Sequence, residues 1–191
     1  MLKIGIRALL MVLALTVLTG VVYPLAMTAV AQVLFPRQAN GSLVTKNGQI
    51  IGSELIGQNF SSARYFHGRP SAAGENGYDG ASSAGSNLGP TSQTLQKKVS
   101  ERVAAVQQDN NLLPQLPVPS DLVLASASGL DPHITPAAAV VQIKRVAAAR
   151  AMNERDLRAL VEAYTEKRQW GLWGEPRVNV LALNIALDNK R

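Results

Sequence analysis

Hydrophobic positions run along this chain in two unlike ways: one unbroken block at the start, then shorter periodic stretches. From Ala8 to Val33 the residues are mostly Leu, Val, Ala and Met, and no formal charge occurs between Arg7 and Arg37. A hydrocarbon layer about 30 Å thick needs about 20 helical residues to cross. The block is therefore predicted to be a transmembrane helix over 8–33, with residues 1–7 cytoplasmic and 34–191 forming an extracytoplasmic domain. The competing reading is a cleaved secretory leader ending at Ala29-Val30-Ala31, but a leader's apolar region runs only about 7–15 residues. Lys3 and Arg7 sit at the N-terminal edge, closer to it than Arg37 and Lys46 are to the other, which favours the N-terminus inside. Pro24 lacks the N–H that would bond the carbonyl of Gly20, so a bend is expected there. Thr16, Gly20 and Tyr23 follow at spacings of four and three, a small-residue stripe on which another helix approaches closely. Whether the bend serves packing or motion stays open.

Beyond Pro36 the pattern changes to that of a small α+β domain. Leu43–Lys46, Asn47-Gly48 and Gln49–Ile51 read as a hairpin, since Asn-Gly suits the positive φ angles of a two-residue turn. Residues 61–90 are rich in Gly, Ser, Ala, Asn and Pro and form a long loop, which embedded Tyr65, Phe66, Tyr78 and Leu88 are expected to order. Thr91 or Ser92 caps a helix to about Gln108, with Leu95, Val99, Val103 and Val106 on one face and Lys97, Lys98, Glu101 and Arg102 outside. Pro114, Pro117 and Pro119 stiffen a connector, and Leu122-Val123-Leu124 is a short buried-strand candidate. Thr135-Pro136 starts a helix reaching about Arg150, because the hydroxyl caps while proline occupies a position that needs no donor. Asn153 and Asp156 open another, whose apolar face is Leu157, Leu160, Val161 and Tyr164 and which ends before Gly171. Val178–Leu183 reads as a strand passing into a short C-terminal helical turn.

Composition narrows the chemistry. The absence of cysteine excludes thiolate metal sites, iron–sulfur clusters, disulfides and cysteine nucleophiles. The formal charge is +6, of which Lys3 and Arg7 supply two, and the remainder is spread too evenly for a nucleic-acid surface. His67 and His133, the two histidines, have no histidine partner at helical spacing, so no metal site is expected. Gly85-Ser86-Asn87-Leu88-Gly89 resembles a phosphate-cradling turn but lacks the lysine of a nucleotide loop, and tight-turn geometry explains it better. Asp131-Pro132-His133 invites an acid–base reading only if a nucleophile such as Ser126 or Ser128 comes within hydrogen-bond reach. Otherwise Asp131 caps a turn. Arg177, beside Glu175 and Pro176, reads as a structural ion pair or an interface contact. No catalytic set is assigned.

Four stretches taken together carry a resemblance: Tyr65-Phe66-His67-Gly68-Arg69-Pro70-Ser71, Gly85-Ser86-Asn87-Leu88-Gly89-Pro90, Ser128 to Pro136, and Gly174-Glu175-Pro176-Arg177-Val178-Asn179-Val180. In order, spacing and leading membrane helix the chain resembles the small C subunit of the Kdp-type potassium-transporting ATPase of bacteria. It departs at Ala84, where the family's loop usually carries glycine, and at Ala127, where Ser-Gly-Ser-Gly is commoner. The resemblance implies a non-catalytic accessory subunit of a high-affinity, ATP-driven potassium uptake complex of the inner membrane, needed first for its assembly and stability. Its implied partners are a channel-like potassium-binding subunit, a P-type ATPase subunit and a very small single-span subunit. It further implies a catalytic chaperone that raises ATP affinity, with no cofactor of its own and ATP only through the hydrolytic partner. His67, Arg69, Asn87, Asp131, His133, Arg177 and Asn179 are the candidate subunit-contact or structural residues, and Thr16, Gly20, Tyr23 and Pro24 the candidate helix-packing set. The rival from another class is an anchored periplasmic hydrolase using His133 and a serine. A solute-binding module, the third reading, requires a deep pocket.

Overall fold

The computed structural model describes residues 1–190. The chain divides into two compact units, the first being Met1–Ile51 and the second starting at Gly52. In the first, one apolar helix runs over Leu2–Leu34, long enough to cross a bilayer and with none of its residues buried. It consists of α1 (Leu2–Val17), a π-helical turn (Leu18–Val22) and α2 (Tyr23–Leu34). Pro24 is the physical cause of that turn. Its ring would crowd the carbonyl four residues back. Widening the turn avoids this, and the Tyr23 N–H reaches back five residues to Leu18 O. The distortion expected at Pro24 thus takes the form of a π-turn. The turn inserts one residue, so side chains before and after it are rotated by about 100° relative to an unbroken α-helix. Thr16 lies before the π-turn, Gly20 within it and Tyr23 just after.

A short helix, α3 (Pro36–Ala39), follows, and then the strands β1 (Leu43–Lys46) and β2 (Gln49–Ser53). Asn47 and Gly48 between them have φ of +52° and +78°, the left-handed values that an Asn-Gly turn was expected to adopt.

In the second unit the loop expected over 61–90 is ordered around Phe66, which is fully buried, as is Ala73. The helix α4 (Gln93–Asp109) starts where Ser92 accepts a hydrogen bond from Leu95 N. Arg102, assigned to its outer face by sequence, is instead half-buried and donates to Val123 O at 2.9 Å. The Leu122-Val123-Leu124 strand does not form: Ser120–Leu122 is a single 3-10 turn. Pro119 leads into it, and buried Asp121 bonds Thr135 N at 2.6 Å, so this segment braces a helix start and joins no sheet.

Thr135 caps α5 (Pro136–Arg150) by accepting from Ala138 N, and Asn153 caps α6 (Glu154–Ala163) by accepting from Arg155 N. Tyr164 ends α6 as its cap and is 40% exposed, so it leaves the apolar face to Leu157, Leu160 and Val161. Three short strands form an antiparallel sheet in the order β3 (His133–Ile134), β5 (Arg177–Asn179), β4 (Thr165–Glu166). The C-terminal helix α7 (Val180–Asn189) is ten residues long, not a single turn, because Asn179 ends β5 and caps the helix in the same step, accepting from Ala182 N. Ile134, Val178, Ala138, Ile143, Val146, Leu157, Val161, Leu183 and Leu187 close one core beneath the sheet. Each of the Val, Leu and Ile side chains among them contributes about 1.5–3 kcal/mol on full burial.

Candidate functional site

The register of the small sheet explains where its charges go. His133 pairs with Asn179 and Ile134 with Val178, while Thr165 pairs with Val178 and Glu166 with Arg177. Successive strand residues point to opposite faces. Ile134 and Val178 therefore enter the core, and His133, Glu166 and Arg177 share the other face. On that face Arg177 Nη2 lies 2.8 Å from Glu166 Oε2, and Glu166 Oε1 lies 3.9 Å from His133 Nε2. Asp131 extends the row, its Oδ1 3.4 Å from His133 Nδ1 and its Oδ2 3.0 Å from Arg69 Nη1. Arg69, Asp131, His133, Glu166 and Arg177 thus form a continuous line in which the carboxylates of Asp131 and Glu166 alternate with two guanidinium groups and the His133 ring. The ion pair expected for Arg177 is made with Glu166, while Glu175 pairs with Arg168 at 2.7 Å.

Asp131 also caps its own turn, accepting from His133 N at 3.0 Å. Burial pushes its carboxyl pKa up, but the hydrogen bonds from His133 and the charge of Arg69 outweigh this and hold it below the ordinary 3.8. Asn179 carries no charge into the row. It donates to Glu54 O at 2.8 Å and accepts from Ala182 N, tying the 52–57 segment to the start of α7.

His67 belongs to a second cluster under the 61–73 loop. Arg145, buried within α5, donates from Nη1 to Ala63 O at 2.8 Å and Tyr65 O at 3.0 Å, from Nε to Asn110 Oδ1, and from Nη2 to Gln142 Oε1. Gln142 bonds both the His67 N–H and the His67 carbonyl, and Asn184 does the same for Phe66. His67 Nε2 lies 3.1 Å from Ser62 O and 3.3 Å from Arg145 Nη1. Both Nη1 protons are already committed to carbonyls, so Nε2 carries the ring proton and donates it to Ser62 O. Burial, and then the Arg145 charge, lower the His67 pKa below 6.5.

Two of the quoted sequence stretches meet backbone to backbone. Gly129, at φ +68°, leaves no room for a side chain: a Cβ there would lie 2.5 Å from Ala84 O and 2.7 Å from Ala73 N. Gly85 likewise faces Ala127 O. Ala84 and Ala127, the two departures from the family pattern, therefore border one loop–loop contact. Ser71 Oγ locks it, donating to Gly129 O at 2.6 Å and accepting from Tyr78 N. Asn87 is exposed at a left-handed φ of +51° and joins neither cluster.

This arrangement binds loops to one another. Both nitrogens of His133 face carboxylates, and Ser126 Oγ and Ser128 Oγ lie 3.3 Å from each other, with no serine bonded to His133 among the described residues. The nucleophile–base contact that the hydrolase reading needs is not made. Depressions of about 250 to 720 Å³ lie over the row and its neighbouring loops, open to solvent.

Sequence reasoning missed Gln142, Arg145, Asn110 and Asn184. For the three on helices the signal was a polar residue where the period calls for an apolar one: Gln142 and Arg145 sit among Ala138, Ala139, Ile143 and Val146, and Asn184 lies between Leu183 and Leu187, whereas Asn110 is the residue that ends α4.

A span-length apolar helix joined to a small α+β head, whose polar side chains are spent on holding its own loops, defines an anchored accessory protein. The chain belongs to the family described as the c chain of the K+-transporting ATPase, KdpC, whose model matches residues 5–189. Among its relatives, the potassium-transporting ATPase KdpC subunit of Acidobacterium capsulatum is 59% identical, covering 90% of each chain. That of Dechloromonas aromatica is 56% identical over 92% of this chain and 91% of the relative. That of Koribacter versatilis is 54% identical over 96% and 93%.

Proposed function

We propose that this chain is the accessory subunit of a high-affinity, ATP-driven potassium uptake complex in the bacterial inner membrane. It assembles there with a channel-like potassium-binding subunit, a P-type ATPase subunit and a very small single-span subunit. The observation that carries the reading is that the likeness to KdpC subunits runs through both the apolar helix and the head, residues 5–189. In this reading Lys3 and Arg7 hold the N-terminus in the cytoplasm and the α+β head stands on the periplasmic side. The chain acts as a catalytic chaperone that raises the ATP affinity of the hydrolytic subunit. With the head outside, that effect is a coupling free energy carried through the membrane helix, since cytoplasmic ATP does not reach the head. The row from Arg69 to Arg177 and the 61–90 loop are the proposed subunit-contact surfaces.

The test is to purify the tagged full chain from its native membrane in mild detergent. Recovery of the other subunits with it is expected. So is loss of potassium-stimulated ATP hydrolysis, with a raised KM for ATP, when the chain is omitted from the complex. Recovery of the chain alone under conditions that keep membrane complexes intact overturns the proposal.

A further inference from the structure

Between β4 and β5 the chain makes a projecting tip over residues 167–174. It is a closed turn: Gln169 N–H donates to Trp173 O at 2.8 Å, Trp173 N–H to Gln169 O at 3.0 Å, and Gly171 N–H to Arg168 O at 3.0 Å. Trp170, Gly171 and Gly174 all adopt positive φ, +52°, +75° and +76°. Left-handed backbone is rare for a residue as bulky as tryptophan.

This well-bonded turn carries its largest side chains outward. Trp170 is 81% exposed, Leu172 76% and Trp173 66%, and every residue from 166 to 177 is exposed. Phe66 of the same unit, by contrast, is fully buried.

We propose that this tip is a second membrane-contact site, which seats Trp170, Leu172 and Trp173 in the interfacial layer of the bilayer that holds the N-terminal helix. The inference rests on that anchoring. Indole rings favour the headgroup level of a bilayer, where the ring is apolar and its N–H still finds a partner. Lys167 stands at the base of the tip, suited to a lipid phosphate, while Arg168 beside it is held by the Glu175 carboxylate.

Three apolar side chains on a narrow turn form a wedge. A standard protein interface uses about 20–30 residues a side, a far broader surface. The apolar helix of the same chain supplies the bilayer itself.

The two tryptophans of the sequence are both in the tip, so all tryptophan emission reports on it. The full chain is reconstituted into phosphatidylcholine–phosphatidylglycerol vesicles whose acyl chains are brominated near the headgroup or near the bilayer centre. Expected is a blue-shifted emission, more than half of it quenched by the shallow bromine and less by the deep one. Leu172→Glu, which leaves both reporters in place at an exposed position, restores most of the emission while the chain still floats with the vesicles. Emission insensitive to bromine in a chain that floats overturns the inference and spares the anchor, whereas a chain that fails to float overturns both. If bromine leaves the emission of the floating chain untouched while acrylamide is also excluded, protein and not lipid covers the tip, and the lipid assignment is overturned.

Discussion

Arg145 is a buried charge whose hydrogen bonds go to neutral acceptors: two carbonyls, an asparagine and a glutamine. Its guanidinium works as a five-donor fork that gathers the 61–67 loop, α4 and α5 at one point. Burial, and after it the same charge 3.3 Å away, disfavours the protonated form of His67. A protonated ring would put two cations side by side, so the fold prefers the neutral imidazole, and its pKa is lowered by burial and by Arg145. As pH falls below 6.5 the unfolded chain takes up this proton before the folded one does. Stability therefore rises with pH across that window and is lost on acidification through it. The guanidinium midpoint of the full chain in detergent, followed by circular dichroism, is expected to drop as pH falls below 6.5, and His67→Gln to flatten the slope there. Asp131 acts in a separate window. Its pKa is lowered, so the stability it contributes is present above 3.8 and lost as pH falls below it.

At the level of elements, local chemistry made most boundaries legible. Ser92, Thr135 and Asn153 were marked as caps by residue type, and all three accept the expected backbone bonds. Where local signals failed, a distant partner had decided. Leu122-Val123-Leu124 has strand composition, but Asp121 is drawn to Thr135, and the segment becomes a 3-10 turn. The strands β3 and β4 are two residues each, too short to show a period, and exist because β5 lies between them. The 61–90 loop was expected to be ordered by its aromatics. Phe66 does this, but backbone contact at Gly129 also contributes. Gly129→Ala would force a left-handed alanine and push a methyl against two backbone atoms, which together cost about 2–5 kcal/mol. Chemical denaturation should register a loss of that size, with faster proteolysis of the 71–85 segment.

For the molecule as a whole, the helix over Leu2–Leu34 is the part through which the proposed assembly is most directly tested. Gly20 lies in the π-turn, and a Cβ placed there meets nothing within 4 Å. A larger side chain is therefore tolerated by the chain itself, and any effect it has must come from a neighbour. Gly20→Leu is expected to reduce recovery of the complex several-fold in a tagged purification while leaving the head's circular dichroism unchanged. Recovery equal to the parent would show that no helix packs closely at this position. Because Pro24 produces a π-turn, the faces before and after it are re-aimed, and packing surfaces drawn on an unbroken α-helix do not carry across it.

The sequence alone determined the apolar helix, the helix starts and the Asn-Gly hairpin, because each depends on residues close together along the chain, and the family resemblance, because it rests on residue order and spacing and on no contact. Tertiary structure alone decided which of Arg69, Asp131, His133, Glu166 and Arg177 face one another. It also placed His67 with Arg145 and Gln142, and left Trp170 and Trp173 outside. These outcomes depend on strand register and on partners dozens of residues away, whose positions are fixed only when the core closes.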